Sequence, residues 1–186
     1  VIEGELKAPA VAEKNGEIII YAEGSNAVKN NIAADKGIKK GNSEIRIAGK
    51  IDASGQKPGE RGGKVSITAD NVALLDGTFI DARGYDGLSG TTAGKEKSAP
   101  RIGAAGGDIQ IGGNYLGQGN TPAALNLYVD KGSLILNDAI NSGDAGRTIF
   151  WSDDTTNFYG NVYARALGGK GVNKETWNAN EGGNAG

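Results

Sequence analysis

The sequence predicts an all-β fold, a right-handed parallel β-helix (β-solenoid) with one long inserted loop. Three observations carry that expectation. Short runs alternate apolar and polar residues, as Val65 and Ile67 do between Lys64, Ser66 and Thr68, which is the period of a strand with one face in a core. Glycine, at 32 of 186 residues, falls in short runs between β-branched segments and not at every third position, so it marks turns and excludes collagen. Finally, the phrase Ile51-Asp52-Ala53-Ser54-Gly55 returns as Ile80-Asp81-Ala82-Arg83-Gly84, and recurrence at such a spacing points to stacked coils.

Taken from the start, Gly16 to Ala22 reads as a strand whose three consecutive isoleucines, Ile18, Ile19 and Ile20, imply burial on both faces or a bend at a corner. Lys29 to Lys40 carries Ala33 and Ala34 but also Gly37, and it lacks an apolar stripe at helical spacing, so it reads as an irregular turn. The alternation resumes at Glu44 to Ala48 and Ile51. Gly62 to Gly84 then makes one complete rung, with Val65 and Ile67, Val72 and Leu74, and Phe79 and Ile80 separated by turns at Asp70-Asn71 and Asp76-Gly77. Gly106-Gly107-Asp108-Ile109-Gln110-Ile111 takes the place of Gly62-Gly63-Lys64-Val65-Ser66-Ile67, but later than the Ile51-to-Ile80 spacing would bring it. Excising ~15 residues would restore the period, and the excess falls in Tyr85 to Ala105, which therefore reads as a loop grafted onto a regular repeat.

Leu125, Leu127 and Val129 alternate next, as do Leu134 and Leu136, around a turn at Asp130-Lys131-Gly132. Arg147 to Trp151 and Asn157 to Tyr159 hold four of the eleven aromatic residues, Gly160 to Ala166 echoes Thr78 to Gly84, and residues 168–186 form an irregular tail rich in Gly and Asn. The whole chain, 1–186, is one β-helix segment. Coils of ~20 to 25 residues would give about eight of them and a rod of roughly 40 Å, with Val65, Ile67, Ile109, Ile111 and Ile149 inside.

Composition narrows the function. Disorder needs a high net charge beside low hydrophobicity, and here the net charge is −2 with 38% hydrophobic residues. That balance gives no electrostatic reason to expect nucleic acid or acidic membranes, and Lys36, Lys39 and Lys40 read as a solvated turn. No apolar run is long enough for a membrane span. With neither cysteine nor histidine there is no disulfide, no Cys- or His-based triad and no His- or Cys-ligated metal. Gly63-Lys64 is followed by Val65 and Gly94-Lys95 by Glu96, so neither supplies the Ser or Thr of a phosphate loop. No cofactor is expected. The start Val1-Ile2-Glu3 and the absence of methionine suggest a mature form or a piece of a longer polypeptide.

Four phrases occur in order: Ile51-Asp52-Ala53-Ser54-Gly55, Gly62 to Thr68, Gly106 to Tyr115, and Trp151-Ser152-Asp153 to Phe158-Tyr159-Gly160 with Ala164-Arg165. Together they resemble the repeat region of the filamentous-haemagglutinin-like exoproteins, the adhesins of Gram-negative two-partner secretion systems. The resemblance implies a right-handed parallel β-helix, secreted or displayed on the bacterial surface, exported by an outer-membrane transporter partner and binding host components. The chain lacks the Asn-Pro-Asn-Gly phrase of the family's secretion domain, so the transporter would be engaged by a region outside this chain. Tyr85 to Ala105 stands where the repeat usually has a few glycines, and member-specific binding is expected there.

The expected function is thus a non-enzymatic β-helical adhesin segment that holds a host surface, a soluble host protein or a glycan. The candidate partner-binding residues are Tyr85, Asp86, Leu88, Lys95, Glu96, Lys97 and Arg101, the Tyr, Leu and charged groups of the insertion. One alternative is capture of a soluble host protein such as a haem carrier by the same loop; another is a polysaccharide-degrading β-helix enzyme. For the latter, Asp52 and Asp81 at matching positions could pair for calcium or glycoside hydrolysis, but each also stands where an aspartate caps its own turn before a glycine. Asp153 and Asp154 beside Trp151 and Tyr159 have the composition of a carbohydrate grip, and equally of a structural corner.

Overall fold

The computed structural model describes residues 5–7, 16–22, 43–85, 103–118, 123–140 and 143–166, and these form a parallel β-helix. Its strands are β1 (Glu5–Lys7), β2 (Glu17–Tyr21), β3 (Glu44–Ile47), β4 (Lys50–Asp52), β5 (Lys64–Thr68), β6 (Asn71–Leu74) and β7 (Phe79–Asp81), then β8 (Asp108–Ile111), β9 (Ala124–Val129), β10 (Leu134–Leu136), β11 (Arg147–Phe150), β12 (Ser152–Phe158) and β13 (Asn161–Tyr163). As far as β10, every strand pairs, parallel, with the one three places further on. The result is three sheets, ordered β1-β4-β7-β10-β13, β2-β5-β8-β11 and β3-β6-β9-β12.

In-register stacking turns sequence repetition into interior columns. Ile18, Val65 and Ile109 lie one above another, as do Ile20, Ile67 and Ile111 in the same sheet. Ile45, Val72 and Leu127 form a third column, Ile47, Leu74 and Val129 a fourth, and Ile51, Ile80 and Ile135 a fifth. Most are sealed from water, and together they make one aliphatic core. β-Branched residues suit it because their stiff side chains pack well on a pleated surface.

The corners are tied by polar side chains. Asp70 accepts from the Ser43 amide and hydroxyl, and Thr78 Oγ1 donates to the Ile47 carbonyl of the coil below. Asn137, fully buried, joins two successive coils: its Oδ1 accepts from the Gly107 amide at 2.7 Å and its Nδ2 donates to the Arg147 carbonyl and Thr148 Oγ1. The Gly-Gly phrases mark close approach: a Cβ at Gly62 would collide with the Ala82 carbonyl, and one at Gly107 with the Gly63 carbonyl.

Three expectations are corrected. Successive turns along β2, β5, β8 and β11 run from Ile18 to Val65, from Val65 to Ile109 and from Ile109 to Thr148, so each takes far more chain than a short coil would, and that sheet stacks four strands instead of eight. The height between its first and last strand is thus roughly 15 Å, at ~4.8 Å per step, well short of the full-length rod expected. Each turn holds three strands and three connections, so even a compact one, such as Ile51 to Ile80, exceeds the expected coil length. Secondly, Ile149 lies opposite Gln110, on the face away from the core; Arg147 pairs with Asp108, and the two-residue period then sends Thr148 and Phe150 inward. Ile149 is buried, but outside the core cluster. Thirdly, of the three isoleucines of β2 only Ile18 and Ile20 pack on the core, while Ile19 is 60% exposed.

The connection after β7 spans 82–107, against 53–63 after β4 and 137–146 after β10. Residues 86–102 within it, the Lys29 to Lys40 stretch and the tail lie outside the described residues.

The core assignment gives a graded test. Ile67→Val, which removes one methylene from a sealed site, should lower unfolding free energy in urea by ~0.5 to 1.5 kcal/mol. Ile67→Asp should lower it by several kcal/mol, because it buries an unpaired charge. An Ile67→Asp variant as stable as its parent would contradict the interior column.

Candidate functional site

Two groups of side chains come together where the sequence placed candidate chemistry. The first lies at the ends of β4, β7 and β10. Asp52 and Asp81 are register neighbours, as their matching phrases predict, and both are buried. Each is used by its own turn: Asp52 Oδ1 accepts from the Ser54 amide at 3.0 Å and hydroxyl at 2.6 Å, and Asp81 Oδ1 accepts from the Arg83 amide at 3.0 Å. Lys50 Nζ lies 3.1 Å from Asp52 Oδ2, and the Arg83 guanidinium grips Asp81 through Nε and Nη2.

On the next coil Leu136 takes the position of Asp81, and an aspartate two residues further on reaches across coils instead. Asp138 accepts from the Arg165 amide at 2.7 Å and from its Nε and Nη2, so the charge pair bridges the ends of β10 and β13. Burial alone would raise the Asp138 pKa, but the bonds from the Arg165 side chain and amide, with the charge of Arg165, outweigh it and hold the carboxyl below its usual value. Burial also opposes ionisation of Asp52, and there the Ser54 bonds and Lys50 win. Arg83 is pushed up, first by its bond to Asp81, with Asp138 and Asp52 adding their fields. Glycoside hydrolysis wants one carboxyl kept protonated across from an accessible carboxylate. Here Asp52 and Asp138 are held ionised and Asp81 is clamped by Arg83. No group of three or more metal-ligating side chains exists among the described residues.

The second group surrounds β12. Trp151 Nε1 donates to Asp153 Oδ1 at 3.2 Å, and Gly117 is pressed against the indole, where an added Cβ would sit 3.0 Å from Nε1. Gly117 ends a 3-10 turn, Tyr115–Gly117, in which Leu116 adopts φ 56°. Trp151 and Asp153 thus fasten the 112–118 connection to the start of β12 as a corner, and Asp154 faces solvent.

Sequence reasoning names Tyr159 beside Trp151 but misses its partner Tyr128. Tyr128 and Tyr159 are exposed with ring centroids 6.0 Å apart and planes tilted by 58°. The Tyr128 hydroxyl donates to Asp130 Oδ2 at 2.9 Å, which raises the tyrosine pKa. Asp130 is lowered, first by the Gly132 amide and then by Tyr128. The alternation Leu127, Tyr128, Val129 already aims Tyr128 outward; what it cannot show is that Tyr159, one coil on, stands beside it. Nor does any motif announce Glu60, whose Oε2 accepts from the Gln56 and Lys57 amides while its buried Oε1 has no partner.

Of the predicted partner-binding residues, Tyr85 is half-buried at the root of the insertion, its amide donating to the Glu60 carbonyl at 3.0 Å. Asp86, Leu88, Lys95, Glu96, Lys97 and Arg101 lie outside the described residues.

No family model matches the chain, and no curated protein matches it. Among solved structures, the HMW1 secretion domain from Haemophilus influenzae superposes with a TM-score of 0.61 at 25% identity. The match covers 97% of this chain and 36% of that one, so the chain spans little more than a third of its neighbour's length. No helix of the described residues is long and apolar enough to cross a membrane.

The carboxylate pairs set a pH dependence. A carboxyl depressed in the folded state contributes stability above its unfolded pKa of ~3.9 and loses it as pH falls through the folded value. The thermal midpoint should therefore fall as pH drops from about 5 towards 2, and more shallowly in Asp138→Asn, which keeps an acceptor for the Arg165 amide but carries no charge. Identical slopes in the two proteins would show that Asp138 does not contribute.

Proposed function

We propose that the chain is a non-enzymatic β-helical segment of a secreted bacterial exoprotein of the two-partner type, displayed at the cell surface as an adhesin. The observation that carries this reading is the likeness to a secretion domain over 97% of the chain, at 25% identity. It agrees with the four ordered phrases, which resemble exoproteins exported this way. The phrases resemble the repeat region and the structural neighbour is a secretion domain; what both support is an exoprotein of the two-partner type, with a dedicated outer-membrane transporter. The occupied carboxylates of Asp52, Asp81 and Asp138 favour a structural over a hydrolytic role for that group.

In this reading the rod is a display scaffold, and the segment Tyr85 to Ala105 is the part that takes hold of a host surface or soluble host protein, through Tyr85, Asp86, Leu88, Lys95, Glu96, Lys97 and Arg101. Support comes from its position: β7 and β8 pair normally with β4 and β5 on one side and β10 and β11 on the other, although the whole 82–107 connection separates them. Long surface connections cost little extra loop entropy.

The test uses the parent exoprotein in its own host. Deleting the gene for its outer-membrane transporter should abolish its appearance in the medium. Replacing Asp86 to Ala104 by a short glycine bridge should leave secretion and thermal midpoint nearly unchanged while weakening binding to host cells at least ~10-fold. Unchanged binding would remove the recognition role from the loop, and secretion without the transporter would overturn the route.

A further inference from the structure

We propose that the outer face of the β3-β6-β9-β12 sheet is a binding surface for a neutral glycan chain, with Tyr128 and Tyr159 as its stacking platform. None of residues 85–105 belongs to this surface as proposed, and the inference does not depend on the secretion route.

Tyr128 stands on the outward side of a strand in the middle of the fold, and its hydroxyl is anchored on Asp130, itself held by the Gly132 amide. The ring is therefore oriented before any ligand arrives. Tyr159, 61% exposed and tilted by 58° at 6.0 Å, forms the second wall of a shallow aromatic corner. Exposed tyrosines held in place present large, rigid contact area at little entropic cost, which is what the flat C–H face of a sugar ring needs.

The outward positions of this sheet form two columns: Asn71, Asn126 and Thr155 in one, and Ala73, Tyr128 and Asn157 in the other. Asn126 Nδ2 donates to Asn71 Oδ1 at 2.9 Å, so the amides are aligned along the solenoid axis. Such groups donate and accept in equal measure, as a hydroxyl-rich ligand requires. Ala73 beneath Tyr128 leaves the ring's lower edge uncovered by a larger neighbour in its column.

The paired positions of the two columns carry no charged side chain from β6 to β12; beside them Asp153, bonded to Trp151, and the solvent-facing Asp154 lie in the bulge before Thr155, at the β3 end Glu44 and Arg46 pair with each other at 3.4 Å, and Asp130 is engaged by Tyr128 and Gly132. A polyanion such as nucleic acid or a sulfated glycan would find no cation row to neutralise it. A protein partner would want an apolar centre fenced by a polar rim, whereas here amides and hydroxyls flank the rings directly. The strand-to-strand step of ~4.8 Å is close to the length of one sugar unit, so a chain lying along the axis would meet each amide in turn.

The test is calorimetric titration of the 186-residue chain with four neutral hexasaccharides, cellohexaose, chitohexaose, maltohexaose and lacto-N-neohexaose, beside polygalacturonate and heparin. At least one neutral hexasaccharide should bind saturably, with an affinity that changes little between about 50 and about 500 mM NaCl. Tyr128→Ala and Tyr159→Ala should each weaken it about tenfold or more, Asn126→Ala should weaken it measurably, and Tyr159→Phe should stay within about threefold of the parent. All three positions are on the surface, so circular dichroism and thermal midpoint serve as folding controls, and Tyr159→Phe with Asn126→Ala keep the test open if an alanine at either ring destabilises the sheet. Absence of binding to all four neutral sugars, binding to the two polyanions alone, or affinity indifferent to both tyrosines would overturn the proposal.

Discussion

The backbone ladder that runs along the solenoid axis is the constraint on which everything else depends. Because each strand pairs in parallel with its counterpart one turn on, each residue's neighbours above and below occupy the same place in the repeat. A side chain that fits is rewarded once per interface, and one that does not is penalised on two sides. Isoleucine over isoleucine over valine is the solution inside. Outside, exposed positions alternate in sign: Glu17, Lys64, Asp108 and Arg147 stand in one column, with Lys64 on Glu17 at 2.7 Å and Arg147 on Asp108 at 2.8 Å. Such surface pairs add little stability, but like charges in their place would repel at every step, so the alternation helps hold register.

The same constraint explains what can be read in advance. A repeated phrase has to land on itself, so Ile51 over Ile80 and the stacking of the Gly62-Gly63 and Gly106-Gly107 pairs are legible, as are the strands between them. Asp52 and Asp81 can be recognised as turn residues because an aspartate two positions before an amide closes that turn whatever lies above it. The number of turns is not legible, because connections, which obey no repeat, hold much of the chain. Ile149 misleads because Thr148, Ile149 and Phe150 offer no clean alternation, and the pairing that settles them, Arg147 on Asp108, is between coils. Partners across coils, such as Arg165 with Asp138 or Tyr159 with Tyr128, stand a whole turn apart in sequence and leave no local signal.

A rod of this kind separates stability from recognition. The interior columns and corner ties, Asn137 above all, are indifferent to what the outer faces carry, and the connections can lengthen without disturbing the pairing on either side. Function on such a scaffold resides in grafted surface groups, which is why the fold alone says so little about the ligand.

The last described coil has a consequence for how the molecule opens. Among the described residues, its inward side chains Thr156 and Phe158 meet the core from one side only; Phe158 is 38% exposed and packs edge-on against Phe150, 4.9 Å away between centroids. The described coils in the middle are covered from both directions. Amide protons of β12 and β13 should therefore exchange with deuterated solvent well before those of β5 and β8, so that the rod loosens from this end inward like a stack losing its top plate.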